Sequence, residues 1–178
     1  MIEQIKECND CPLRAKCNQV VTGIGSKESK LFIVADKPET DEDIIGEPLV
    51  GLSGKYFDKI LNGAGISREN IYITYVVKCK TPHALSLANE SVQICKKWLW
   101  QELQMIKPKV IVTLGAFPTS LLMKKKRIVL NQVVGLIYQL NYLDSILMPW
   151  YDPDYLLQRG KSWEIDSINF FKEVKGKL

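Results

Sequence analysis

Cys8 and Cys11 form a C-x2-C pair near the N-terminus, and Cys79 and Cys95 follow in mid-chain with fifteen residues between them. Four thiolates at such spacing suit either an iron-sulfur cluster or zinc, and spacing alone does not separate the two. The close pair speaks against four unrelated buried thiols. Cys17 sits just outside the pattern.

Other residues with chemical potential lie in loops. His83 is the only histidine, so any Ser-His or Cys-His catalysis would depend on it, but its polar loop after Pro82 reads as surface. The run Lys124-Lys125-Lys126-Arg127 could contact phosphates, and serves equally as a solvated helix end favoured by the macrodipole. Trp98 and Trp100 fall in an apolar helical stretch, where at least one should be core rather than a base-stacking platform.

These groups must be positioned by a core, and 178 residues suffice for one domain spanning 1–178. Hydrophobic residues make up 46% and charged ones 25%, as in ordinary globular proteins. The N-terminus, M-I-E-Q-I-K-E-C, lacks an apolar signal region, and no run is long enough to span a membrane. The expectation is an intracellular, cytoplasmic protein with no membrane partner, whose cysteines bind metal or stay reduced. A formal charge of +4 is compatible with a polyanionic partner without requiring one.

Short apolar runs alternate with longer amphipathic ones. Residues 31–35, 71–77, 110–114 and, more weakly, 145–148 read as strands; 54–62, 88–106, 116–124 and 162–174 read as helices. This order predicts a three-layer α/β/α fold around a four-stranded, mostly parallel sheet, with ligands beyond the carboxyl ends of the strands. Each strand end there is unusual. Ala35-Asp36-Lys37-Pro38-Glu39 follows the first strand, then Glu42-Asp43 and Gly46-Glu47-Pro48-Leu49-Val50-Gly51-Leu52-Ser53-Gly54. Those glycines fit a plain turn, or a close backbone approach to a ligand at a helix N-terminus. The second strand ends in Val77-Lys78-Cys79-Lys80-Thr81-Pro82, and the fourth runs into Asp152-Pro153-Asp154-Tyr155-Leu156-Leu157.

Together these pieces resemble the family-4 uracil-DNA glycosylases. The family's G-E-x-P-G, E-D and G-x-P-F-V-G-x-S/A-G segments are matched by the stretch from Ala35 to Gly54, and its Y-I-T-N-V-V-K-C-R-P-P motif by Tyr72 to Pro82. Its K-P-k-V-I-V-x-L-G strand is matched by Lys107 to Gly115, and its H-P-S/A-Y-L-L-R motif by Asp152 to Gln158. The resemblance covers about Cys8 to Arg159.

It implies a uracil-DNA-glycosylase-like fold, DNA as partner, and a four-iron four-sulfur cluster on Cys8, Cys11, Cys79 and Cys95, with zinc as the alternative and Cys17 a non-ligand. It places Asp36 where the family's acidic residue supports the attacking water, with Lys37 and Pro38 beside it. Leu49 stands for the stacking Phe, Tyr75 for the uracil-reading Asn, and Asp152 for the His that stabilises the departing base. Gly51, Ser53, Gly54, Pro153, Tyr155 and Leu156 fall in the DNA-facing segments, with packing against the last helix an equal reading for Tyr155 and Leu156. A phenol cannot both donate and accept as an amide does, and an ionised carboxylate opposes a developing anion. The expectation is a DNA-binding protein with uracil excision lost or redirected. Alternatives are an active glycosylase for uracil or a nonstandard base, and a non-catalytic scaffold with a replication or repair protein partner.

Overall fold

The computed structural model describes residues 1–81 and 89–178. Pro82, His83 and the predicted helix start at Ala88 lie outside the described residues. The four predicted strands are present as β2 (Leu31–Ala35), β3 (Ile71–Tyr75), β4 (Val110–Leu114) and β6 (Ser145–Trp150). Their runs are continuously apolar because the first three are buried on both faces.

The sheet has six strands, not four. Two short edges, β1 (Ile24–Gly25) and β5 (Tyr138–Leu140), add antiparallel pairs to a parallel centre, in the order β1-β3-β2-β4-β6-β5. Segments of two and three residues are too short for any periodicity to register, which is why they escape a reading of the sequence.

Helices cover both faces. On one side α3 (Leu52–Gly63), α6 (Pro153–Leu157) and α7 (Lys161–Gly176) pack Phe57, Ile60, Leu156, Phe170 and Phe171 against Leu31, Ile33, Ile73 and Val112. On the other, α1 (Ile2–Lys6), α4 (Glu90–Ile106) and α5 (Ala116–Leu122) pack Ile5, Val92, Trp98, Leu99 and Leu122 against Phe32, Val34, Tyr72 and Ile111. Alternate residues of one strand thus feed two different cores. The remaining helix, α2 (Thr40–Ile45), follows β2 and ends on Gly46 in the left-handed region, a regular C-cap.

A buried ion pair fastens β3 to α4. Glu102 is 0% and Lys78 1% exposed, yet every charge is answered. One Glu102 oxygen accepts from the Gly23 amide at 3.0 Å and the Tyr72 hydroxyl at 3.3 Å; the other accepts from Thr74 at 2.9 Å and from Lys78. The ammonium also donates to the Tyr75 carbonyl at 2.8 Å. A lone Glu on an amphipathic helix gives no hint in the sequence of such a role.

Candidate functional site

The chain reverses its winding at β2, which lies between β3 and β4, so a crevice opens at the carboxyl ends of these strands. Asp36 follows β2, Tyr75 ends β3, Gly115 follows β4 and Asp152 follows β6. A cavity of about 210 Å³ lies there, lined among others by Asp36, Lys37, Leu49, Ser53, Tyr75 and Asp152. Asp36 and Asp152 also line a second cavity of about 450 Å³, with Tyr151 and Tyr155. The carboxylates therefore stand between two cavities.

Gly115 brings the two acids together. Its φ of 101° lies where side-chain-bearing residues are strained, and a Cβ there would stand 3.5 Å from Asp36 Oδ1 and 3.8 Å from Asp152 Cβ. Asp36 Oδ1 is buried with no hydrogen-bond partner among the described residues. Burial, followed by the neighbouring Asp152 charge, pushes the Asp36 carboxyl up to about 7. Burial pushes Asp152 up to about 6, opposed by the Asp154 amide, which donates to Asp152 Oδ1 at 2.8 Å. Asp152 is also the N-cap of α6, followed by Pro153 at its first position.

Tyr75 is 2% exposed, with its ring in the core. Its hydroxyl accepts the amide of Leu49, itself in the left-handed region at φ 52°, at 3.0 Å. The loop amide is thereby satisfied and the phenol oxygen acts as its acceptor, while the O–H proton is not used in this bond. Lys37, the one basic residue lining this cavity, is paired with Glu39. Pro38 is buried beside it.

The E-D pair of the first motif is a scaffold. Glu42 Oε1 accepts the amides of Val50 and Gly51 at 3.1 Å each, and its other oxygen accepts that of Glu39. Asp43 accepts from the Asn18 amide and side chain at 2.9 and 2.8 Å, tying the N-terminal segment to α2. Glu42 thereby holds the two backbone amides that lead into α3. Ser53 hydrogen-bonds Asp154. Gly54 is needed for packing, since a Cβ there would stand 2.0 Å from the Leu49 carbonyl oxygen.

Leu156 is 0% exposed and packs in the core, the packing role the sequence allowed for it. Tyr155 is half-buried, stacked on Tyr151 at 5.4 Å with Arg159 over its ring at 4.4 Å.

Past the carboxyl end of β3, beyond Tyr75, the cysteines gather. Cys79 is buried and hydrogen-bonded to Cys17, and feels Cys95 and Cys11; Cys95 feels Cys11 and Cys8. Burial pushes the Cys79 thiol far up and Cys95 up to about 11. Two N–H groups point at sulfur: the Lys78 amide at Cys95 and the Trp98 indole, largely buried as expected, at Cys8, both at 3.3 Å. Such donors can stabilise anionic sulfur. Among the described residues no three His, Cys, Asp or Glu side chains are grouped to hold a metal ion. No described helix is long and apolar enough to cross a membrane.

A three-layer α/β/α fold with a crevice at the carboxyl ends of its parallel strands matches a known class. Residues 22–176 match the uracil DNA glycosylase superfamily, and the chain belongs to it. Within it the chain belongs with the type-4 uracil-DNA glycosylases. It is 34% identical over 170 residues to that of Thermotoga maritima, covering 93% of this chain and 85% of the relative. The type-4 enzyme of Archaeoglobus fulgidus is 33% identical over 142 residues, 78% and 71% of the two chains. The crystal structure of wild-type Pedobacter heparinus SMUG2 shares the fold with a TM-score of 0.59 at 12% identity, covering 84% of this chain and 76% of that one.

Proposed function

We propose that this chain acts as one domain on DNA, with uracil excision lost or redirected. The observation that supports this most is the Tyr75 to Leu49 hydrogen bond, which commits the phenol oxygen at the base-reading position to accepting from the protein's own backbone. A glycosylase must hold an extruded base by its edge and stabilise the charge on it as it leaves. Here the position of the leaving-base donor is held by Asp152, whose Oδ1 accepts from a backbone amide. The test is DNA, single-stranded and duplex, carrying uracil, hydroxymethyluracil or hypoxanthine. DNA retention without uracil release supports the reading, and robust uracil release overturns it. Absence of DNA binding would favour a replication or repair protein as the occupant of the cleft.

The redirected branch is favoured by the acid pair. Burial pushes Asp36 up to about 7 and Asp152 up to about 6, so the pair holds a proton further toward neutrality than ordinary carboxyls do, and a departing base that draws on it leaves the ionised carboxylates to orient water. Release of a nonstandard base in the same assay, abolished by Asp152→Asn, supports this branch.

The thiols Cys8, Cys11, Cys79 and Cys95 are proposed to hold a four-iron four-sulfur cluster, with zinc as the alternative. When bound, the group supplies a cross-link between the N-terminal segment and the end of β3. Iron and acid-labile sulfide analysis of protein prepared without oxygen distinguishes cluster from zinc.

A further inference from the structure

The charge of the strand-end cavity is one-sided. Asp36, Glu39, Glu42, Asp152 and Asp154 line it, and among the described residues Lys37 is the only basic group set against them. Lys37 is already paired with Glu39. Glu42 is committed to the amides of Glu39, Val50 and Gly51, Asp154 to the Ser53 hydroxyl, and Asp152 Oδ1 to the Asp154 amide. Asp36 Oδ1 is left buried without a partner among the described residues, 3.5 Å from where a Cβ on Gly115 would stand. An occupant of the cavity therefore meets acceptors and negative charge, and the ammonium there is already neutralised.

Uracil is poorly matched to such a lining. Its carbonyl oxygens need donors, and it departs as an anion, which carboxylates oppose. A purine alkylated on a ring nitrogen, at N7 of guanine or N3 of adenine, has the opposite needs. Its ring carries a formal positive charge, its amino group donates, and its glycosidic bond breaks to leave a neutral base. As the bond breaks, the positive charge passes from ring to sugar, and Asp36 stands at the position aligned with support of the attacking water. A carboxylate at position 152 has the wrong sign for uracil and the right sign for this reaction.

We propose that the crevice takes a positively charged, ring-alkylated purine extruded from DNA and releases it by hydrolysis. The bond between C1′ and the base nitrogen breaks with its electron pair going to the ring, which cancels the ring's charge. Water oxygen bonds C1′, and the proton it gives up passes to an ionised carboxylate of the Asp36 and Asp152 pair and on to solvent. Base and sugar both end neutral, and nothing is oxidised or reduced. The inference rests on the redirected reading of the preceding subsection and names its substrate class.

The experiment incubates the full-length protein at neutral pH with single-stranded and duplex DNA methylated by dimethyl sulfate, and with DNA carrying uracil, hydroxymethyluracil or hypoxanthine. Released bases are identified by chromatography and mass against protein-free blanks, which correct for spontaneous depurination, and fluorescence anisotropy reads binding. Release of 7-methylguanine or 3-methyladenine roughly 100-fold above the blank is expected, with uracil retained. Asp36→Asn and Asp152→Asn keep the side-chain shape and remove the charge; each, shown to be folded by circular dichroism, should fall to near the blank. Undiminished release by both folded variants overturns the inference. Bound DNA that yields hypoxanthine or hydroxymethyluracil but no methylated purine overturns it and leaves the redirected reading standing. Bound DNA that yields no base at all overturns it in favour of lost excision. Failure to bind DNA, or robust uracil release, overturns both.

Discussion

The hydroxyl of Tyr75 accepts the amide of Leu49 at 3.0 Å, across 26 positions of sequence, and so ties the end of β3 to the loop before α3 at the wall of the strand-end cavity. Tyr75→Phe leaves that amide buried without its acceptor, which costs about 1–3 kcal/mol. Chemical denaturation should show a lowered midpoint at unchanged slope, and uracil release should stay absent.

Restoring the two family residues tests whether they alone silence the site. The double change Tyr75→Asn and Asp152→His is expected to recover uracil release from single-stranded DNA, measured by strand scission after alkali. Histidine replaces an N-cap carboxylate, so the variant should also lose about 1 kcal/mol of stability. A folded but inactive double variant would move the block to Asp36 or Leu49.

The acid pair sets a pH dependence whose sign is fixed by the direction of its shifts. Both folded carboxyls are raised above their ordinary value of 3.8, so the folded state binds more protons than the unfolded chain between about pH 4 and 7. The stabilisation is present below the unfolded value and is lost as pH rises through about 6 and 7. Asp36→Asn should flatten this fall and make the protein more stable than wild type at about pH 8, by a few kcal/mol at most. Thermal unfolding across that range checks it; a wild type whose stability does not fall with pH would contradict the burial of the pair.

Removing one half of the Lys78 and Glu102 pair strands the other in the core. Glu102→Ala is expected to cost about 3–5 kcal/mol, whereas Glu164→Ala, which breaks a surface pair with Lys59, should cost less than about 1 kcal/mol. Denaturation midpoints of the two variants compare them directly.

DNA binding carries its own signature. Lys125, Lys126 and Arg127 are exposed beyond α5. Changing Lys125 and Lys126 to Gln should lower the slope of log affinity against log salt by roughly 0.9 for each phosphate no longer neutralised. Fluorescence anisotropy over a salt series measures it, and an unchanged slope would assign the run to a solvated helix end.

The parallel centre of the sheet was legible because strands buried on both faces are written as unbroken apolar runs. The places of Asp36 and Asp152 at the strand ends were legible from motif order. What the sequence hid is long-range: no local signal joins Tyr75 to Leu49, Glu102 to Lys78, or Glu42 to the amides of Val50 and Gly51. Nor does the sequence bring Cys17 to Cys79, a contact that arises only when the N-terminal segment folds back, held through Asp43. Leu156 shows the reverse case, a residue matching a DNA-facing motif that the fold spends on its core.

The short edge β1 has a consequence for how this molecule meets others. Its Gly25, at φ 132°, lies so close to β3 that a Cβ would stand 1.9 Å from the Ile71 carbonyl oxygen, and pairing stops after two residues. A visiting strand finds almost no ladder to extend. β1 itself therefore offers a poor template for strand addition.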